Sequence, residues 1–354
     1  MKRITILVNS LGVGGSEKVA ANLSLGFHKR GFSVQIISFQ NIIEYQHSGR
    51  LVNLGLYKKH KSTLINLIKR FYILFKEIND FSPDFIIDSG SRKYNIQEFF
   101  IYFFILKRFN TILIIHSYIL KHYKFTLKYL FKFLNKKSYV VCVSKGIEKK
   151  IRSKFNINKL KNIYNPFINN KIDKSINITF DYILAVGRMD DDVKGFDLLL
   201  KAYSLSTAKD QVKLIIIGDG KLKDTYIKEA INLGIEEKVI FKPFTMNIYN
   251  YYFNALFYVL TSRSEGFPNV LLEALSKGCP VVSFDTPTGP SEIIKPEING
   301  LLVQYLNIEK LSKAIDRMYF DKKLYYNCKR HAIQSIEKFK LENIINEWEK
   351  LFKK

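Results

Sequence analysis

Short apolar runs alternate with segments of helical periodicity along nearly the whole chain, and they do so in two successive series. The first series is Ile4–Val8, Ser33–Ser38, Phe85–Asp88, Thr111–His116 and Tyr139–Ser144, with helix-like stretches at Ser16–Arg30 and Leu64–Asn79 between them. A strand whose neighbours on both sides are helical must return to its sheet by a crossover, so such a pattern predicts parallel sheets covered on both faces by helices. The series breaks at Ile163-Tyr164-Asn165-Pro166-Phe167 and the polar stretch Asn169–Asn177. It then restarts with Tyr182–Val186, Lys213–Ile217, Val239–Phe241, Phe257–Leu260 and Pro280–Ser283. The expected class is therefore α/β, with two consecutive doubly wound units. A last helix, Leu341–Phe352, carries Leu341, Ile344, Ile345, Trp348, Leu351 and Phe352 at helical spacing and must bury that stripe on one of them.

With 354 residues the chain is long enough for two separate cores. Cys142, Cys279 and Cys328 are far apart and lack metal-like spacing, so they read as free buried thiols of a reducing compartment. The run after Met1-Lys2-Arg3 is too short for a signal peptide, and Lys107-Arg108-Phe109-Asn110 breaks the apolar stretch Phe99–Ile115 before it could span a bilayer. The expectation is a cytoplasmic protein, peripheral on the inner membrane face. A formal charge of +24 calls for an anionic partner surface. Between Lys121 and Lys161 there are thirteen Lys or Arg and one acid, Glu148. Lys121 opens this segment, and Lys124, Lys128, Lys132 and Lys136 repeat every four residues beside an apolar stripe of Leu120, Tyr123, Leu127, Leu130 and Leu134. Such a basic amphipathic helix suits anionic headgroups, although the same pattern also describes a solvated outer face. The membrane contact is the reading adopted for these lysines.

Three loops carry chemistry. Gly12-Val13-Gly14-Gly15-Ser16-Glu17 lies between a strand and a helix, where backbone N–H groups meet anions. Its spacing is not the dinucleotide fingerprint. In the second unit, Gly187-Arg188 and Lys194-Gly195-Phe196-Asp197 follow the first strand and place two cations six residues apart, a clamp for a diphosphate. Asp190-Asp191-Asp192 between them reads as a solvated loop rather than a metal site. The third is Ser264-Glu265-Gly266-Phe267-Pro268-Asn269-Val270-Leu271-Leu272-Glu273, running on to Gly278. Pro268 suits a helix start and Gly278 its stop. Asn269 and Glu273 share a face at i, i+4, and Glu265 precedes the helix, so two carboxylates and free N–H groups converge on one polar ligand. His116 closes its strand, either touching the reacting group or serving as a satisfied polar residue.

Taken in order, Gly14-Gly15, His116, Gly187-Arg188, Lys194-Gly195, Gly218-Asp219-Gly220 and Glu265…Glu273 resemble the family 4 glycosyltransferases of the GT-B fold. The likeness is strong over 182–304 and thinner over 1–170. Asp285-Thr286-Pro287-Thr288-Gly289-Pro290-Ser291-Glu292 and Asn299-Gly300-Leu301-Leu302-Val303 are similar to members that build lipopolysaccharide, O-antigen, capsule or lipid-linked oligosaccharides. The resemblance implies two Rossmann-like domains with parallel sheets facing across a cleft: an acceptor-side domain over 1–170, a nucleotide-sugar-binding domain over 171–338, and a helix over 339–354 returning to the first. It implies Arg188 and Lys194 on the donor diphosphate, with Gly14 and Gly15 completing that site. It further implies Glu273 on the ribose, Glu265 with the backbone of Gly266, Phe267, Pro268 and Asn269 on the transferred sugar, and His116 near sugar and acceptor. Retention of anomeric configuration, no required cofactor or metal, a UDP-sugar donor and a glycolipid or lipid-linked glycan acceptor are the remaining implications. Competing readings are a nucleotide-sugar epimerase of similar fold and a basic protein binding nucleic acid or membrane without transferase activity. No nucleic-acid-binding module is recognisable, so no nucleic-acid partner is expected.

Overall fold

The computed structural model describes residues 1–12, 14–57, 63–90, 99–123, 126–131, 134, 137–169, 172 and 178–353. The chain divides into two compact units, one formed by Met1–Ile168 with Phe339–Lys354 and the other by Asn169–Lys338. Unit 1 holds a seven-stranded sheet in the order β3-β2-β1-β4-β5-β6-β7. The strands are β1 (Arg3–Val8), β2 (Ser33–Ser38), β3 (Arg50–Asn53), β4 (Phe85–Asp88), β5 (Asn110–Ile115), β6 (Tyr139–Cys142) and β7 (Leu160–Asn162). Every neighbouring pair is parallel. Unit 2 holds a six-stranded parallel sheet in the order β10-β9-β8-β11-β12-β13. Its strands are β8 (Tyr182–Val186), β9 (Lys213–Ile217), β10 (Val239–Lys242), β11 (Phe257–Leu260), β12 (Val281–Phe284) and β13 (Gly300–Val303).

The central strands are buried on both faces because helices cover both, which is why they read as continuous apolar runs. Each sheet reverses its winding once, between β1 and β4 in unit 1 and between β8 and β11 in unit 2. Loops leaving the carboxyl ends of such a strand pair diverge to opposite faces and leave a crevice, the usual ligand position in open α/β sheets. Three strands went unread in the sequence: β3, β7 and β13. The final helix, Leu341–Phe352, belongs to unit 1. It buries Ile344, Ile345, Trp348, Leu351 and Phe352, and Trp348 and Phe352 pack on Phe27 of the helix Gly15–Lys29. All three cysteines are buried free thiols, and burial pushes each of them up.

Candidate functional site at the carboxyl edges of the two sheets

In unit 2 the residues singled out in the sequence gather on the loops after β8 and β11, the two strands of the winding reversal. Lys194 Nζ donates to Glu265 Oε1 at 2.7 Å, and both side chains are largely buried. This ion pair joins the two loops. Their approach depends on Gly195, whose φ of +65° is left-handed and whose α-carbon lies so near the Thr261 carbonyl that a Cβ would overlap it. The stem of Lys194 lies over Gly187, where a Cβ would come 2.9 Å from Cγ. Gly218, after β9, approaches the Gly187 carbonyl as closely, which ties the third loop to the first. Arg188 is exposed, and among the described residues it has no hydrogen bond or ion pair.

After β11 the helix Asn269–Ser276 begins directly behind Pro268, with no side chain capping its first N–H groups. Glu273, a turn along, accepts from the phenol of the buried Tyr252 at 3.3 Å. Burial and the nearby Glu273 carboxylate push the Tyr252 phenol well up, so it remains a donor at any physiological pH. The Glu265 loop is braced from behind, since Thr288 Oγ1 donates to the Glu265 carbonyl at 2.6 Å and Tyr305 to the Arg263 carbonyl at 2.6 Å. Arg263 makes a two-pronged bond to Asp197 (2.7 and 2.6 Å) and also donates to the Asp192 carbonyl at 2.7 Å. Burial raises the Asp197 carboxyl, but the Arg263 fork outweighs it and holds the group below its ordinary value. Two of the three acids are thus part of the loop's own framework: Asp191 caps Val193 N–H and Asp192 is pinned by Arg263. Among the described residues, no group of three or more His, Cys, Asp or Glu is gathered for a metal.

In unit 1 the edge is built by the loops after β1, β4 and β5. Gly14 and Gly15 form the turn into the helix Gly15–Lys29. Gly14 N–H donates to Tyr45 at 3.4 Å, and the Glu17 carboxylate, itself bonded by Ser16 at 2.8 Å, folds back against Gly14. His116 Nε2 lies 2.9 Å from Ser89 Oγ, the residue following β4. The residue is half-buried, and desolvation lowers its pKa to about 4. It is a neutral imidazole at physiological pH.

Two sequence models, described as Glycosyltransferase Family 4 and Glycosyl transferases group 1, match residues 13–167 and 168–335 and so divide nearly the whole chain between them. The chain belongs to the family 4 glycosyltransferases. An uncharacterised glycosyltransferase of Haemophilus influenzae is 29% identical over 98% of this chain and 99% of its own length. The N-acetylgalactosamine-N,N'-diacetylbacillosaminyl-diphospho-undecaprenol 4-alpha-N-acetylgalactosaminyltransferase of Campylobacter jejuni is 28% identical over 96% and 97%. Among solved structures, a single-residue mutant of S. aureus TarM, in complex with Fondaparinux, alpha-GlcNAc-glycerol and UDP, superposes with a TM-score of 0.80 at 18% identity, covering all of both chains. The fold is that of the GT-B glycosyltransferases.

In this family 4 glycosyltransferase, sequence reasoning located Arg188, Lys194, Glu265, Gly266, Phe267, Pro268, Asn269 and Glu273, and the structure brings them to one sheet edge. It missed their supports, Arg263 with Asp197 and Tyr252, and it missed Ser89 beside His116. Arg263 directly precedes the Ser264–Gly278 string and so had a positional signal. Tyr252 and Ser89 had none. The basic stripe is only partly described: Lys124, Lys132 and Lys136 lie outside the described residues. Lys121 and Lys128 are exposed, while Leu120, Tyr123 and Leu127 are buried as the stripe required. The described backbone there is a 3-10 turn at Leu120–His122 and a π-type turn at Thr126–Leu130, not the regular α-helix that a four-residue repeat suggests.

Proposed function

We propose that this glycosyltransferase moves a hexose or N-acetylhexosamine, with retention, from a UDP-sugar to a glycolipid or lipid-linked glycan at the cytoplasmic membrane face. The observation that carries this reading is the convergence of Arg188, the Lys194–Glu265 pair, the uncapped helix start at Asn269 and Glu273 on the edge where β8 and β11 diverge. A sugar nucleotide offers a diphosphate, a ribose diol and sugar hydroxyls, and these groups match that set in kind. Arg188 and Lys194 would hold the diphosphate and stabilise its charge as the glycosidic bond to phosphate breaks. Glu273, fixed by Tyr252, would accept the ribose hydroxyls. Glu265, with the backbone of Gly266, Phe267, Pro268 and Asn269, would hold the sugar.

With no enzymic nucleophile assigned, the departing phosphate would take the acceptor proton on the face it leaves. His116 would donate or accept a hydrogen bond as neutral imidazole near the acceptor. UDP as the donor nucleotide is supported by the UDP named with the TarM structure, and the lipid-linked acceptor by the Campylobacter relative's name. Attachment at an anionic membrane through Lys121 and Lys128 is supported by their exposure and by the charge of +24. No described helix is long and apolar enough to cross a membrane. No cofactor or metal enters this scheme.

Lys194→Ala should lower acceptor-dependent UDP release by about a hundredfold or more, the scale seen when one preorganised donor to a developing anion is lost, with an unchanged circular dichroism spectrum. Near-normal turnover in a folded variant would refute the clamp.

A further inference from the structure

Unit 1 contains an apolar groove of about 480 Å³ between the helix Thr63–Phe81 and the segment Ile101–Ile105. This is within the usual size range of small-ligand sites. Its rim carries Leu64 and Ile68 from the helix and Phe100 and Phe104 opposite, exposed by 64%, 61%, 43% and 46%. Leaving four large apolar side chains in water around a concave surface is unfavourable without an occupant. One end of the groove is formed by Phe39 and Leu54, the residues directly after β2 and β3, so it opens at the carboxyl edge of the sheet. That edge also carries His116. The connection is physical: Tyr102, within the groove's wall segment, donates to Asp88 Oδ2 at 3.2 Å, and the next residue, Ser89, bonds His116.

Among the described residues, the wall contains one charged side chain, Arg70. One terminal nitrogen donates to the Phe39 carbonyl at 2.6 Å, Nε has no partner among the described residues, and no carboxylate there pairs with it. A half-buried guanidinium that no described carboxylate pairs, beside an apolar trough, complements an amphiphile with an anionic head. From the groove's position at the sheet edge that also carries His116, and from this cation with no carboxylate partner among the described residues, we infer that the groove binds the hydrocarbon chain of the lipid-phosphate acceptor, with its charged head towards Arg70. The inference rests on the proposed lipid-linked acceptor and adds to it a seat for the lipid.

The test uses the full chain and two rim variants, Ile68→Asp and Phe104→Asp, both at exposed positions where folding tolerates a carboxylate. Binding of fluorescent hexadecyl phosphate is measured first. Transfer is then measured to one glycan carried either on an isoprenyl diphosphate or on a water-soluble ethyl group. Each variant should weaken probe binding at least tenfold and raise KM for the isoprenyl acceptor by a similar factor, with KM and kcat for the ethyl acceptor unchanged. Unaltered probe binding would overturn the inference, as would equal losses on both acceptors. A concentration-dependent dimer of the wild type that the rim variants dissociate would also overturn it, because the groove would then seat a second copy. Specific probe binding without transfer to any lipid-linked glycan would remove the acceptor reading and keep the groove as a lipid site.

Discussion

His116 shows how a fold sets the chemistry of one side chain. Its ordinary pKa of 6.5 is lowered to about 4 by desolvation, so folding favours the neutral ring. The unfolded chain therefore binds a proton more readily between pH 6.5 and 4, and stability must fall as the pH drops through that window, by at most about 3 kcal/mol for this residue. Above pH 6.5 both states are neutral and the contribution is flat. Replacing His116 with Gln, which keeps a hydrogen bond to Ser89 possible, should make the melting temperature less sensitive to acid between pH 6.5 and 4. Parallel wild-type and variant curves would contradict the buried neutral ring. Sequence identified His116 as a strand-end histidine but left its two readings open, because the partner that settles its surroundings, Ser89, comes from a different strand. The Glu265…Glu273 string was more legible for the opposite reason: Asn269 and Glu273 share one helix face at i, i+4 and Glu265 lies just before that helix, so the spacing is local information.

At the scale of elements, the loops after β8 and β11 are held together by two bridges of different character. Lys194–Glu265 lies among the groups assigned to the donor, whereas Arg263–Asp197 lies in the framework behind it. Arg263→Ala removes a charged fork from a partly buried carboxylate and should cost about 2 kcal/mol in urea unfolding of unit 2. It should also raise KM for the donor by loosening the Lys194 loop. Arg263→Lys should recover only part of this, since an ammonium cannot form both bonds. A variant with unchanged midpoint and KM would remove Arg263 from the framework. The strands that sequence missed follow a physical pattern. β3, β7 and β13 are edge strands of their sheets. An edge strand pairs on one side only and need not be apolar on both faces, so Arg50-Leu51-Val52-Asn53 and Leu160-Lys161-Asn162 lack the continuous run that marks a central strand. Gly300-Leu301-Leu302-Val303 is apolar, but it is short and sits behind an Asn-Gly pair that reads as a turn.

At the scale of the whole molecule, the two-series pattern was visible because each doubly wound unit repeats the same alternation. The discontinuity of unit 1 was not visible in the periodicity, since a helical stripe records that it must be buried but not where; the resemblance to the family alone implied a helix over 339–354 returning to the first domain. Its seat on unit 1 is specified by Gly26, where any Cβ would press into Ile345 and Leu341, and by the ring packing of Trp348 and Phe352 on Phe27. Trp348→Ala should destabilise unit 1 by about 4 kcal/mol, the usual cost of emptying a buried aromatic site. Amide exchange should accelerate across β1–β7 and stay unchanged across β8–β13; uniform acceleration would show that the units do not unfold separately. The outgoing and returning strands of the chain meet side by side: Phe167 N–H donates to the Phe339 carbonyl at 3.0 Å and Leu341 N–H to the Phe167 carbonyl at 3.2 Å. On the ribosome this has a consequence of order. All seven strands of the first sheet emerge before the second unit, yet the piece that seals their hydrophobic face is translated only after it, so the half that is begun first is completed once the intervening unit has had time to fold on its own.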